Sequence, residues 1–351
     1  MKNIKKLLLF PSDSIRVAIE KIEKGLVQIA LVVDEKNSLL GTVTDGDIRR
    51  GILKGIPIEE KVNKIMNNSP VTALISDNSE KVWMMFKQKA VRHIPILDDT
   101  GKLIGLEILE SRIDPHPNEN IVVLMLGGLG LRLRPLTENF PKPLLKVGNK
   151  PLLVTIVENF VMQGFHKFFF SVNYKSHMIE NFFGDGSKFN AEISYIHEDD
   201  FMGTAGSLKL IPKIDLNPII VMNGDILTKV DYNHLLDFHL VNNSCATMCV
   251  RENNLQIPYG VVDLENQKIK SIHEKPVKNF FVNAGIYVLN PEIISFIPEG
   301  TKFDMPQLFE TLISKNKEVI AFPIREYWMD IGQKDDFNKA NYDFFTFFEN
   351  S

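Results

Sequence analysis

Cysteine is nearly missing from this chain of 351 residues: Cys245 and Cys249 are the only two, which excludes a disulfide framework and a four-thiolate zinc site. A chain with so few thiols is at home in a reducing compartment. Long hydrophobic runs are missing too, since no segment approaches the ~18 consecutive apolar residues of a bilayer-spanning helix. The stretch Leu7-Leu8-Leu9-Phe10 behind a basic start is too short for a secretory signal and stops at Pro11 without a small-residue cleavage site. An excess of basic charge is the third absence. Lys and Arg number 40 against 44 Asp and Glu, a net charge of -4, which argues against a nucleic-acid or membrane-surface protein. These absences lead to the expectation of a soluble, cytoplasmic protein with neither nucleic acid nor membrane among its partners.

What is present is ordinary globular composition, 44% hydrophobic and 24% charged, with a length that suits two domains. The polar segment 113–119, with Pro115 and Pro117 between two apolar runs, reads as a linker, giving domains at 1–113 and 119–351. The first domain contains an internal repeat. An apolar run at 27–34, a polar turn and a second run at 39–44 recur at 92–98 and 103–106, each unit preceded by helix-period residues: Ile15, Ala18, Ile19 and Ile22, then Val82, Met85 and Phe86. A period of roughly 60 residues implies two copies of one small α/β module. In the second domain, apolar strands at 121–126, 168–172, 219–222 and 246–250 alternate with helical stretches such as 152–162. That alternation predicts a mainly parallel sheet with a ligand crevice at its carboxyl edge.

In the repeat, Gly41-Thr42-Val43-Thr44-Asp45-Gly46-Asp47-Ile48 resembles the signature of the CBS domain (cystathionine β-synthase domain), and the resemblance covers about residues 1–112. CBS modules occur in pairs and often bind adenine nucleotides, which implies Thr44 at phosphate and Asp47 at ribose. A carboxylate suits that role because it accepts from both ribose hydroxyls. The second copy has Ile108 and Ser111 at the matching places and lacks both groups. The competing reading is that Asp47 caps a helix starting at Ile48, with Thr44 in a turn.

After the strand at 121–126 comes Gly127-Gly128-Leu129-Gly130-Leu131-Arg132-Leu133-Arg134-Pro135-Leu136-Thr137. Glycines directly behind a buried strand let backbone N–H groups approach a phosphate, although such a turn can also be only a tight strand exit. The Gly-Lys-Ser/Thr ending of a P-loop is absent, and Leu133 replaces the third glycine of a dinucleotide fingerprint. Instead two cations follow, Arg132 and the lysine of Pro141-Lys142-Pro143. Taken with Gly203-Thr204-Ala205-Gly206, Asn223-Gly224-Asp225, Tyr259-Gly260-Val261, His273-Glu274-Lys275-Pro276, Asn283-Ala284-Gly285 and Trp328-Met329-Asp330, this series is similar to the sugar-1-phosphate nucleotidylyltransferases over about residues 120–340. The fold implied is α/β: a tandem CBS pair, then a Rossmann-like nucleotide-diphospho-sugar transferase domain with a mixed, mainly parallel sheet.

That resemblance implies attack of a sugar 1-phosphate oxygen on the α-phosphorus of a nucleoside triphosphate, with release of pyrophosphate. Arg132, Lys142 and Lys275 would be catalytic, at the β,γ-phosphates, the α-phosphate and the sugar phosphate. Leu126, Gly127, Gly128, Gly130, Glu198, Gly203, Thr204, Ala205 and Asp225 would bind nucleotide, and Gly260, Glu274 and Asn283 the sugar. Asp225 and Asp330 would hold Mg2+, which commonly takes one or two protein carboxylates. Taken singly, either aspartate is equally a turn residue or helix cap. One departure stands out: Leu131 occupies a position where the family usually has Thr or Ser.

Guanine presents two donors on one edge that a carboxylate can accept in pairs, so the acidic run His197-Glu198-Asp199-Asp200 points to GTP, with Glu198 as the reader. A CBS pair ahead of such a domain resembles the glucosamine-1-phosphate guanylyltransferases of bacterial legionaminic acid synthesis, which implies glucosamine 1-phosphate. Mannose-1-phosphate guanylyltransferase and uridylyl- or thymidylyltransferases are the alternatives. A non-catalytic nucleotide sensor, favoured by Leu131, and a glycosyltransferase, which would ordinarily carry Asp-x-Asp in place of Asn223-Gly224-Asp225, are alternatives of other classes. The aromatic tail of Phe337, Tyr342, Phe344, Phe345, Phe347 and Phe348 is expected to close its own domain, with spare rings for a homo-oligomer. The two cysteines, four apart on an expected strand, should share one face in the core.

Overall fold

A computed structural model describes residues 4–348 except 26, 90, 110–117, 199 and 213–215, and every side chain among them except those of 79, 80, 83 and 87. The chain forms two compact units, residues 1–116 and 117–351. Residues 113–117 of the expected linker, together with Ser111, lie outside the described residues.

The first unit runs β1 (Leu8–Leu9), α1 (Ile15–Gly25), β2 (Ile29–Val33), β3 (Leu39–Thr44) and α2 (Asp45–Leu53), then β4 (Ala73–Leu74), α3 (Ser79–Lys89), β5 (His93–Leu97) and β6 (Leu103–Ile108). Each half is a three-stranded sheet in which the first pair is parallel and the second antiparallel. The repeat is offset by 64 residues, from Ile29 to His93 and from Leu39 to Leu103. Even the irregularity recurs, as a register shift at Val32/Val33 and again at Ile96/Leu97. Asp34 and Asp98 close the two hairpin turns alike, each accepting two backbone N–H bonds. Leu7, Ile29, Leu31 and Val33 share one buried cluster with Leu103, Leu106 and Ile108, so the two halves complete each other's core.

The second unit comprises β7 (Val122–Met125), α4 (Leu136–Asn139), β8 (Lys146–Val147), β9 (Lys150–Pro151), α5 (Leu152–Met162), β10 (Lys167–Val172), α6 (Ser176–Phe183), β11 (Glu192–His197), α7 (Gly203–Gly206), β12 (Ile219–Asn223), β13 (Ile226–Thr228), α8 (Tyr232–Val241), β14 (Ala246–Gln256), β15 (Val261–Glu265), β16 (Lys268–His273), β17 (Val277–Leu289), α9 (Met305–Ser314), β18 (Val319–Ile324), β19 (Trp328–Asp330) and α10 (Lys334–Phe347). Seven strands pair in the order β11-β10-β7-β12-β17-β14-β18. All neighbours are parallel except β17, which runs against both β12 and β14.

β7 is apolar throughout because it is covered on both faces. Val122 and Leu124 join Phe160, Phe168, Phe170 and Tyr232 on one side, where Phe160 and Tyr232 stack at 3.7 Å. Val123 joins Val221, Tyr287, Leu308 and Leu312 on the other. The cysteines do not share a face. Cys249 belongs to the first of these clusters, whereas Cys245 stands one residue ahead of β14 and packs at the second. In α10, Phe344 and Phe348 are buried while Tyr342 is 82% exposed, so the tail both closes the domain and leaves rings outside.

His239 of α8 is buried in a polar knot. Its Nε2 lies 2.9 Å from Asn290 Oδ1, an acceptor, so the proton sits on Nε2, and Nδ1 accepts from the Thr247 hydroxyl at 2.8 Å. Burial depresses its pKa below the ordinary 6.5, with the Asn290 bond and the Glu292 charge opposing. A depressed histidine stabilises the fold above the unfolded-state value and loses that contribution as pH falls toward the folded-state value. Denaturation midpoints should therefore drop between about pH 7.5 and pH 5.5, and His239→Gln should flatten the drop.

Candidate functional site

Four parallel strands, β11, β10, β7 and β12, deliver their carboxyl ends to one edge of the sheet, and the site is assembled there. Leu126 and Gly127 follow β7, Asn173 follows β10, Glu198 follows β11, and Asn223-Gly224-Asp225 follows β12. Gly224 is dictated by close approach: its N–H donates to Met125 O at 3.0 Å, and a Cβ there would stand 2.2 Å from Leu126 Cδ2.

Asp330 comes to the same place from about a hundred residues away. β13 and β19 pair antiparallel, which sets Asp330 opposite Ile226, and Ile331 N–H donates to Asp225 O at 3.0 Å. Lys142 Nζ donates to Asp225 Oδ2 at 2.6 Å. Burial pushes the Asp330 carboxyl above its ordinary value; the neighbouring Asp225 charge adds to the rise, while Lys142 and Arg132 oppose it. Two carboxylates and the Lys142 ammonium thus meet just beyond β12, and the Arg132 charge acts on Asp330 from further off. Asp225 Oδ1 is buried with no hydrogen-bond partner, a vacant lone-pair site of the kind a hard divalent cation takes. Among the described residues no group of three or more protein ligands could hold a metal, so substrate oxygens and water would have to complete its shell.

The structure places the other expected residues as follows. Glu198 is 7% exposed; its Oε1 accepts from the Ser171 hydroxyl at 2.6 Å and its Oε2 from Met202 N–H at 2.9 Å. A Cβ on Gly127 would lie 3.1 Å from Glu198 Oε1, so the glycine loop rests against this carboxylate. Asp199 of the same acidic run lies outside the described residues. The Gly203-Thr204-Ala205 turn is docked on the start of α9: Thr204 N–H donates to Asp304 Oδ1 at 2.9 Å, and Ala205 N–H donates to Phe303 O at 3.0 Å. Gly203 has φ 78°, and a Cβ there would meet Asp304 and Phe303 within 2.7 Å. Gly128 and Leu131 are exposed, and Thr137 holds Gly130 O at 2.8 Å.

Gly260 and Glu274 are neighbours, since a Cβ at 260 would sit 3.1 Å from Glu274 Oε2. Lys275 is exposed and held at φ 45°. Among the described residues no hydrogen bond or ion pair ties it to the carboxylate pair. Asn283 turns both amide atoms inward, donating to Tyr287 Oη at 2.7 Å and accepting from Gly285 N–H at 2.9 Å. Trp328 stands opposite Thr228 in the β13–β19 ladder, with its indole N–H on Ala284 O at 2.8 Å. Tyr259 is 74% exposed and packs on nothing that would make it a core residue.

In the first unit, Thr44 and Asp47 form a reciprocal cap. Asp47 Oδ2 accepts from Thr44 N–H at 2.8 Å and from its hydroxyl at 2.6 Å, while Thr44 Oγ1 receives Asp47 N–H. Thr44 is the N-cap of α2, which starts at Asp45; the helix start expected at Ile48 is three residues late. Arg50 binds the other Asp47 oxygen at 2.6 Å.

Sequence reading missed Ser171 and Asp304. A lone hydroxyl inside the apolar run Phe168-Phe169-Phe170-Ser171-Val172 signals Ser171, and aspartate two residues before Pro306 is a helix-start signal for Asp304.

A doubly covered, mainly parallel sheet with a glycine loop, cations and paired carboxylates at its carboxyl edge defines a nucleotide-handling α/β transferase class. The chain belongs to the nucleotidyl transferase family, whose model matches residues 121–346, and the CBS domain model matches residues 4–54 and 62–106. Mannose-1-phosphate guanyltransferase of Debaryomyces hansenii is 34% identical over 225 residues, 61% of this chain and 62% of that protein. The protein of the same name from Yarrowia lipolytica is 35% identical over 223 residues, 61% of each. The chain therefore spans about three-fifths of the length of these relatives. The crystal structure of HddC from Yersinia pseudotuberculosis matches with TM-score 0.52 and 28% identity, over 64% of this chain and 99% of that one; its complex with GMP-PN matches with TM-score 0.51. No helix among the described residues is long and apolar enough to cross a membrane.

Glu198→Ala should strand the Ser171 hydroxyl and Met202 N–H and cost about 1–3 kcal/mol, read from urea denaturation, with Glu198→Gln costing less.

Proposed function

We propose that this chain is a sugar-1-phosphate nucleotidylyltransferase that moves guanylyl from GTP to a hexose or hexosamine 1-phosphate and releases pyrophosphate. The observation that carries the reading is the Asp225–Asp330 pair with Lys142 and Arg132 around it, set beside the glycine loop. Two polyanions must meet in this reaction, so the site needs positive charge more than a proton-transfer base. The arrangement needs no covalent enzyme intermediate: the sugar phosphate oxygen bonds to the α-phosphorus as the bond to the β-phosphoryl oxygen breaks, in line.

Arg132 serves the β- and γ-phosphates, where its planar fork takes two oxygens. Lys142 serves the α-phosphate, and Lys275 receives the sugar phosphate. Gly127, Gly128 and Gly130 admit the triphosphate to the backbone; Leu126, Gly203, Thr204 and Ala205 bound the nucleoside. Gly260, Glu274 and Asn283 serve the sugar. Asp225 and Asp330 would hold Mg2+, which when bound would neutralise phosphate charge and orient oxygens. Glu198 is the guanine reader of this proposal. With one lone pair of each oxygen taken by Ser171 and Met202, its carboxylate is fixed in position and keeps acceptor capacity for the base.

For the sugar, the names of the curated relatives favour mannose 1-phosphate. The CBS pair ahead of the transferase unit favours glucosamine 1-phosphate and a place in bacterial legionaminic acid synthesis. The protein is proposed to work in the cytoplasm, with an adenine nucleotide regulating it through Thr44 and Asp47. Such control requires two states with different affinities for that ligand.

The test is pyrophosphate release with GTP, UTP, dTTP, CTP and ATP, each against glucosamine, N-acetylglucosamine, mannose and glucose 1-phosphates, with added Mg2+. Release confined to GTP is the expected result, Asp225→Ala and Lys142→Ala each lowering kcat by about 10²-fold or more. Absence of release from well-folded protein with every pair would overturn the catalytic reading and move the sensor alternative ahead, with Leu131 the first suspect. Calorimetric titration with AMP and ATP should show binding that Asp47→Ala abolishes, and no heat with wild-type protein would remove the regulatory role.

A further inference from the structure

The Ser171 hydroxyl is an outlier in its strand. Phe168, Phe170 and Val172 of β10 join the first core cluster and Phe169 packs at the second, so the period of two puts Ser171 on the second face. It is fully buried there, and a buried hydroxyl costs stability unless it is paired. Among the described residues its one hydrogen-bond partner is Glu198 Oε1, at 2.6 Å. Strand register explains the meeting: Ser171 pairs with Ile196 of β11, and Glu198 stands two residues further on, on the same face.

Glu198 is tied at each of its polar groups. Its N–H donates to Val172 O at 3.1 Å, and its carbonyl accepts from Asn173 Nδ2 at 2.7 Å, so its backbone is bound to the end of β10. On the side chain, Ser171 takes one lone pair of Oε1 and Met202 N–H one of Oε2. A carboxylate oxygen has two, so one stays open on each oxygen. Gly127 passes close by: a Cβ there would stand 3.1 Å from Oε1 and 3.5 Å from Cδ, and any side chain would press on this carboxylate.

We propose that Ser171 is a specificity-determining positioning residue, which acts through Glu198 to make the site demand a base with two adjacent donors. Guanine meets that demand with its ring N1–H and its exocyclic amine, one for each open lone pair. Hypoxanthine offers the ring N–H alone, and would leave one buried oxygen without a donor. Adenine presents an acceptor at N1 and is repelled. Without the Ser171 hydroxyl, Oε1 has two open lone pairs and the carboxylate is pinned at Oε2 only. It can then turn to serve a single donor, and the penalty against hypoxanthine falls. The role of Ser171 rests on the reading of Glu198 under Proposed function, and it does not depend on which sugar phosphate is the acceptor.

Calorimetric titration of the full chain with GTP, ITP and ATP, with added Mg2+, tests the assignment. Wild type should bind GTP about 10-fold or more tighter than ITP, the usual effect of one hydrogen bond to a charged group. Ser171→Ala should weaken GTP by about that factor and ITP by less than about threefold, so that the preference is lost. Ser171→Thr keeps the hydroxyl and should keep the preference. A merely structural role would weaken both nucleotides alike and leave their ratio where it was. An unchanged ratio in Ser171→Ala therefore overturns the role of Ser171, and the Glu198 reading survives if Glu198→Gln loses the ratio. Wild type that binds GTP and ITP alike, or prefers ATP, overturns both. If the alanine variant fails to fold, Ser171→Cys decides by the same ratio, since its thiol fills the space and donates only weakly.

Discussion

Two like charges held side by side are the constraint on which the second unit turns. Asp225 stands between β12, in the middle of the sheet, and β13, and Asp330 is laid beside it by the short β13–β19 ladder. Burial first, and then the charge of Asp225, push the Asp330 carboxyl above its ordinary value. Lys142, at 2.6 Å from Asp225, and Arg132 offset that tendency, and both come from the segment following the glycine loop. The neighbouring strands, the loop and the cations are therefore parts of one electrostatic arrangement. Its unsatisfied oxygen on Asp225 leaves it open to further positive charge.

Around this pair the polypeptide is held by polar contacts from below. Glu198 ties β10 to the chain leading into α7, and Asp304 ties α7 to the start of α9. Glu198, buried, and Asp304, half-buried, each satisfy two donors, and so fix the chain on either side of α7. The first of these carboxylates also lies against the glycine turn at Gly127, and the Thr137 hydroxyl holds the turn at Gly130.

The first unit solves a different problem. Each of its halves buries a small cluster of its own, around Ile15 and Val43 and around Phe86 and Ile94, and the cluster of Leu7, Ile29, Leu31 and Val33 with Leu103, Leu106 and Ile108 is completed only by both. The copies differ at the end of the third strand and beyond, where Thr44 and Asp47 cap α2 in the first and the second has Ile108 and Ser111 in sequence. The two functional candidates of this unit are thus also structural. A ligand at Asp47 would compete with the cap and with Arg50.

Sequence alone determined the secondary elements that depend on local periodicity. The helix at 152–162 and the strand at 39–44 stand where apolar spacing puts them, and the 64-residue repeat is visible as a pattern of strands and turns. It also determined which residue types surround the site, because close turns demand glycine and strand ends expose the polar residues that follow. Tertiary structure decided the rest. Asp225 and Asp330 become neighbours through a pairing between strands a hundred residues apart, which no local pattern records. Whether Glu198 faces solvent or lies under the glycine loop depends on Ser171 and Met202, each set by a different element. Cys245 and Cys249 part company because Cys245 precedes β14 and the register of β14 against β17 shifts between Met248 and Val250, which strict alternation does not foresee. Periodicity acts over a few residues, whereas charge compensation and burial act through space, and only the folded chain brings the second to bear on the first.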